Sequence, residues 1–336
     1  MRSLKILGLL LVTSAFVVLP VAADETGTAY GVFEYVVENA EGTFEEIGEA
    51  IASGVPGGAW ELLGTVESRD EKKCDYRSRV FVFHELAYGA AMITANPATG
   101  GFAVVDRVGL FEDENGIHVS VVNPHSINRT VLMDDTAHEA LTEEHLQELR
   151  TRILGVVRGT ESHRQYGQMR TQGHIGKTMG VVAGGKFVDL IQEKGKIKNG
   201  DVSAVAAQLR NSLDQPSKKW GLHLIYEVAI PEHDMVVFGT SGSPMDFKSF
   251  SIVGAGLDES RKDFACPGFD HAAAYPLEIV VSRQGDEVGV SIVDAMFRMK
   301  MFFEDAGKWA FMNNMKMPGS IDKELKKQIK NGLKAL

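Results

Sequence analysis

Apolar and polar residues alternate along Val105-Asp-Arg-Val-Gly-Leu-Phe111 and again along Ile117-His-Val-Ser-Val-Val-Asn123, with the turn Glu112-Asp-Glu-Asn-Gly116 between them. A period of two belongs to strands, and an Asn-Gly step between two such runs predicts a β-hairpin. The same unit recurs as Pro276-Leu-Glu-Ile-Val-Val281, a turn from Ser282 to Glu287, and Val288-Gly-Val-Ser-Ile-Val-Asp294. The chain therefore reads as two copies built around one hairpin.

Ahead of the first hairpin, Gly31 to Val37 alternates like a strand. Thr43, with Glu46 three positions on, forms a capping box, and Phe44, Ile47 and Ile51 make the apolar stripe of the helix it opens. Trp60 to Val66 and Tyr76 to Phe83 read as strands, with the charged Ser68 to Lys73 as the loop between them. Leu86 to Thr94 reads as a short helix stopped by Asn96-Pro97 and Gly100-Gly101. Leu141 to Val157, capped by Thr142, closes the copy as an amphipathic helix.

The second copy repeats this order. Asp201 or Ser203 opens a helix through Val205, Leu209 and Leu213, and Trp220 stands 160 residues after Trp60. Asp246-Phe-Lys-Ser249 echoes Asp75-Tyr-Arg-Ser78 at a spacing of 171, and Cys266-Pro267 echoes Asn96-Pro97 at 170, which places the change of offset near Glu232 to Gly242. Ile321 to Leu333 is the closing helix. Several matches in one order at nearly one offset indicate duplication.

The expected fold class is α/β in the α+β sense, with two tandem two-layer α/β domains, each β-α-β-β-α-β-hairpin-α, spanning 24–158 and 186–336. Residues 159–185 lack periodicity and read as a linker, followed by a short helix near Val188 to Lys194. Gly173-His-Ile-Gly-Lys-Thr178 has Thr171 where a phosphate-binding loop needs its first glycine, so it is a chance match. The two copies are expected to pack about a pseudo-twofold axis through the faces that carry His118, Ser120 and Val122 in one and Gly289, Ser291 and Val293 in the other.

On its early strand, capped helix and strand, the helix ending in Asn96-Pro97 or Cys266-Pro267, the hairpin and the closing helix, each copy resembles the family catalogued as domain of unknown function 302. The resemblance implies a two-layer α/β fold and carries no established activity. Members often have Pro-Cys entering the hairpin, whereas this chain has Asp106-Arg107 and Pro276-Leu277.

The N-terminus adds a location. Met1-Arg-Ser-Leu-Lys5 is positively charged, Ile6 to Val18 is apolar, and Val21 and Ala23 end the pattern of a signal peptide over residues 1–23, too short to span a bilayer. Cleavage after Ala23 predicts an exported protein, periplasmic or otherwise secreted. Losing Arg2 and Lys5 from 35 basic residues leaves 33 against 45 acidic ones, a net charge of −12. That sign disfavours nucleic acid and anionic membranes as partners, and no later segment is apolar for long enough to cross a membrane.

Cys74 and Cys266 are the chain's two cysteines. A bridge between them requires a specific docking of the two copies, and two separate buried thiols are the commoner outcome for such a pair. Arg261 and Lys262 precede Cys266 on an expected helix, which makes Cys266, with Cys74, the redox candidate.

Among the charges, Arg107 shares a strand face with Val105, Gly109 and Phe111, so alternation points it inward, where an unpaired guanidinium is costly. Its alignment with apolar Leu277 and Ile279 leaves three outcomes: pairing with a carboxylate, snorkelling to the sheet edge, or anchoring an anionic ligand. Asn123 and His125 are the nearby polar groups, matched by Asp294 and Met296 in the second copy. The histidines show no metal-ligand spacing, although His138 and His145 share a helix face, and no nucleophile motif occurs.

Met296-x-x-Met299-x-Met301 and Met312-x-x-Met315-x-Met317 offer thioethers that suit Cu(I), but the aromatic residues interleaved with them favour core packing. The sequence thus points to a periplasmic, non-catalytic protein that holds a small molecule or a periplasmic protein at the junction of the copies or at Arg107. The alternatives are a redox or sulfur accessory enzyme using Cys266, and soft-metal binding through Met312, Met315 and Met317.

Overall fold

The capping box forms as its residues require. In a computed structural model that describes residues 28–69, 74–177, 183–257 and 266–336, the Thr43 amide donates to Glu46 at 2.9 Å and the Glu46 amide to the Thr43 hydroxyl at 3.2 Å. The leader 1–23, Arg261, Lys262, Thr178 and the end of the Ser68 to Lys73 loop lie outside the described residues.

The first half runs β1 (Phe33–Glu38), α1 (Phe44–Gly54), β2 (Trp60–Arg69), β3 (Arg77–Glu85) and α2 (Leu86–Ala95), then the hairpin β4 (Asp106–Asp113) and β5 (Gly116–Val122), then α3 (Pro124–Val131) and α4 (Glu139–Val156). Two short strands follow, β6 (Thr160–Glu161) and β7 (Gln165–Tyr166). The second half runs β8 (Ile191–Lys198), α5 (Val202–Leu213), β9 (His223–Ile230), β10 (Met235–Ser241), α6 (Ser243–Leu257), β11 (Leu277–Gln284) and β12 (Glu287–Val293). It ends with α7 (Ala295–Phe303), α8 (Lys308–Asn313) and α9 (Lys316–Leu333). A 3-10 turn enters each hairpin, Gly100–Ala103 in the first half and Phe269–Ala274 in the second.

Both sheets are antiparallel and share one strand order. It is β2-β3-β4-β5-β1 in the first half and β9-β10-β11-β12-β8 in the second, with β6 and β7 added outside β1. The class is mixed α/β, as the sequence indicated.

Helices α1 and α4 cover the outer face of the first sheet, where Phe44, Ile51, Leu149 and Ile153 pack on Phe81, Val108, Leu110 and Val121. In the second half α5 and α9 do the same with Leu209, Leu213, Leu325 and Ile329 over Ile279, Val281 and Val290. The inner faces share one core that runs through both halves. Contacts between the halves are reciprocal, as a pseudo-twofold relation requires. Gly101 lies over Met235 and Val280 of the second half, and Ala273 lies over Gly109 of the first. Ser120 and Val122 do sit on this inner face, but Tyr166 and the turn Phe269–Ala274 come between the sheets. Edge strands β2 and β9 approach so closely that a Cβ on Gly64 would stand 2.5 Å from the Ile225 carbonyl oxygen.

Four expectations about the elements need correction. Strand β10 occupies the stretch read as the loop of changed offset, because it is buried along its whole length and so shows no alternation. Asp246-Phe-Lys-Ser249 therefore lies in α6 and does not match the start of β3, and the offset changes between β10 and β11. Residues 191–194 begin strand β8 rather than a helix, pairing with β12 through Ile191↔Val293. Helix α4 starts at Glu139, and Thr142 is buried within it rather than capping it.

The segment read as a linker is a strap across both halves. Gln165 and Tyr166 pair with β1, while Arg170 donates to the carbonyls of Met301 and Lys300 at 3.0 and 3.2 Å. Cys74 and Cys266 are joined in a disulfide, with Cα atoms 5.2 Å apart, which replaces the expectation of two separate thiols. The docking that such a bridge needs is the one the inner faces supply. No helix among the described residues is long and apolar enough to cross a membrane.

Candidate functional site

Alternation along β4 points Arg107 inward, and the pairing of β4 with β3 through Val82↔Arg107 fixes its position in the first sheet. Its Nη1 donates to Glu278 Oε1 at 2.8 Å and to the carbonyls of Ala274 and Pro276 at 3.2 and 3.4 Å. Glu278 lies on β11, 171 residues from Arg107. That is the offset of the two hairpins, so the true counterpart of Arg107 is Glu278, not the apolar Leu277 or Ile279. Matched positions meet across the junction with opposite charges.

A second guanidinium shares the same carboxylate. Arg298 on α7 donates from Nε to Glu278 Oε2 at 3.0 Å, and from Nη2 to Glu278 Oε1 at 3.3 Å, to the Ala274 carbonyl at 2.6 Å and to the Pro276 carbonyl at 3.2 Å. The Phe302 ring lies under both guanidiniums, with centroid distances of 4.8 Å to Arg107 and 3.8 Å to Arg298. All three charged side chains are buried, at 4 % exposure for Arg107, 7 % for Glu278 and 5 % for Arg298.

Two positive charges thus face one negative charge in a medium where charge is poorly screened. Among the described residues, Arg107 Nε, Arg298 Nη1 and the Tyr226 hydroxyl have no hydrogen-bond partner. Tyr226 fits beside them because a side chain at Gly239 would collide with its ring. Burial lowers the Arg107 guanidinium to about 10 despite the attraction of Glu278. Burial pushes the Glu278 carboxyl up, but Arg298 and Arg107 outweigh it and hold the group below its usual range. Glu278 and Arg298 also line a small crevice of about 30 Å³ between α7, α9 and the end of β11.

The other expected site residues lie apart. Asp294 caps α7, accepting from the amides of Met296 and Phe297 at 3.0 Å each, so it sets the helix that carries Arg298. Asn123 is its match in the first half and caps α3 by accepting from the His125 amide at 3.0 Å. Both are helix caps with a structural task. His125 stacks on Tyr30 with centroids 4.7 Å apart and meets Glu143 at 2.7 Å. It lines a cleft of about 350 Å³ with Arg129, Asp135, His138 and Glu139. Met312 is half-buried on α8, Met315 exposed and Met317 buried in α9.

Two further buried His–Asp clusters escaped the sequence. His145 Nε2 lies 2.8 Å from Asp106, with Tyr88 and Trp60 stacked on its ring at 3.5 and 4.8 Å. His271 sits between Asp270 and Asp305, 2.9 Å from each. Burial alone would lower the His271 imidazole, yet the two carboxylates raise it to about 10. Among the described residues no group of three or more His, Cys, Asp or Glu could hold a metal ion. Glu278 and Arg298 each interrupt an apolar run, and at the correct offset Glu278 could have been paired with Arg107 from sequence. No known protein family, curated protein or solved structure matches the chain.

Proposed function

We propose that this is an exported, non-catalytic binding protein that holds a small anion at the junction of its two halves. The observation that carries this reading is the buried cluster in which Arg107 and Arg298 share the single carboxylate of Glu278 and each keeps an N–H without a partner. An uncompensated buried charge costs several kcal/mol, and an incoming anion would offset it. A guanidinium fork also suits planar oxyanions.

Export is supported by the leader-like residues 1–23 and by the Cys74–Cys266 bond, since disulfides persist in oxidising compartments. The non-catalytic part of the reading draws on the buried His145 and His271, whose imidazoles are enclosed by aromatic rings and serve as packing.

The test is thermal unfolding of the full chain exported by a host cell, at fixed ionic strength and pH 7, with chloride exchanged for nitrate, formate or acetate. A ligand at 100 times its dissociation constant stabilises by about 2.7 kcal/mol. An upward shift with at least one anion, lost in Arg298→Met, is the expected result. Equal unfolding in every anion would overturn the reading, and mass spectrometry of what co-purifies would then be the route to another ligand.

A further inference from the structure

We infer that the anion is a short aliphatic monocarboxylate whose tail lies in the crevice beside Arg298, an inference that rests on reading the junction as an anion site. The crevice has two kinds of wall. Glu278 and Arg298 form its charged side, and Leu277, Val293, Met299 and Leu325 form its apolar side. A bare inorganic anion would use only the first. The room, about 30 Å³, holds roughly two or three water-sized groups at ~10–15 Å³ each, which suits the two or three tail carbons of propionate or butyrate with the carboxylate at the charged wall.

Charge selects in the same direction. Two guanidiniums against one carboxylate leave one positive charge, which a monoanion cancels and a dianion overshoots beside Glu278. The half-buried Leu277, Ala295 and Met299 lie where the crevice meets the surface and give the tail its way in.

The experiment is calorimetric titration of the full chain with nitrate, formate, acetate, propionate, butyrate and octanoate at pH 7 and constant ionic strength. Affinity should rise about fourfold per methylene from acetate to butyrate, the increment expected for burying one CH₂, and fall for octanoate, which exceeds the space. Ala295→Leu narrows the crevice from the first turn of α7, so it should abolish the chain-length dependence. If butyrate binds no more tightly than formate or nitrate, or Ala295→Leu keeps the dependence, the monocarboxylate assignment is wrong while the anion site stands. If none of the six anions binds, both fall.

Discussion

Replacing Glu278 with Gln keeps the shape of the side chain but leaves the guanidiniums of Arg107 and Arg298 facing each other with no counter-charge. The carboxylate accepts from Arg107 Nη1 at 2.8 Å and from Arg298 Nε and Nη2 at 3.0 and 3.3 Å, using both oxygens. An amide has one oxygen, so its NH₂ must face a donor on one side. Removing one member of a buried ion pair costs roughly 3–5 kcal/mol, against about 1 kcal/mol or less for an exposed pair, and all three side chains here are buried. Arg107→Met should cost less, roughly 1–2 kcal/mol, because it loses hydrogen bonds but also removes the uncompensated charge. The double substitution should cost less than the sum of the two, since the residues touch. Urea unfolding at pH 7, followed by both tryptophan fluorescence and circular dichroism, measures all three. Coincident transitions are required before a single free energy is taken, because two halves that part in sequence would give two steps. A cost below about 1 kcal/mol for Glu278→Gln, or a larger cost for Arg107→Met than for Glu278→Gln, would refute the account of the junction.

The other expectations concern the bridge, the clamped histidine and the methionines. Cys74 and Cys266 lie 192 residues apart, so in the chain-entropy account reduction, or the double substitution to Ser, removes at most about 5 kcal/mol; thiol titration in denaturant should find two thiols only after reduction. His271 is raised to about 10 from an unfolded value near 6.5, so its stabilisation is complete below about pH 6.5 and is lost as pH rises to 10. The urea midpoint should therefore fall between pH 7 and pH 10, and a His271→Gln protein with the same slope would exclude this origin. Anaerobic Cu(I) titration should show no site that disappears when Met312, Met315 and Met317 are all changed to Leu, since Met317 is buried in α9; a stoichiometric site lost in that variant would reverse the packing account.

What could be read in the sequence was local. The Asn115-Gly116 turn joins β4 and β5 as a hairpin as expected, in the register Asp113↔Gly116 and Glu112↔Ile117, and the Asn115 amide donates to Asp113 at 2.7 Å. The Thr43 and Asp201 caps likewise depend on neighbours a few residues away. Strand β10 was hidden because a strand covered on both faces shows no alternation. Glu278, Arg298 and the Cys74–Cys266 bond were hidden for another reason. Each takes its meaning from the docking of two surfaces far apart in the chain, and an error of one residue in aligning the hairpins turned the partner of Arg107 into an apolar neighbour.

The shared strand order of the two halves also separates two kinds of charge at the junction. In a symmetric pair of identical copies, a residue near the axis meets itself, and an Arg or a Glu there would be repelled by its twin. Within one chain matched positions can differ, and Arg107 against Glu278 is a complementary pair. Docking needs no more charge than that pair. Arg298 stands at the same offset from Ile127, a buried apolar residue of α3, so the first half keeps the ordinary solution at this place while the second half adds a cation. That guanidinium, at 5 % exposure, is held by Glu278, the Ala274 and Pro276 carbonyls and the Phe302 ring, and one of its N–H groups is left without a partner among the described residues. If an anion binds as proposed, this asymmetry, more than the Arg107–Glu278 pair, is what it would use.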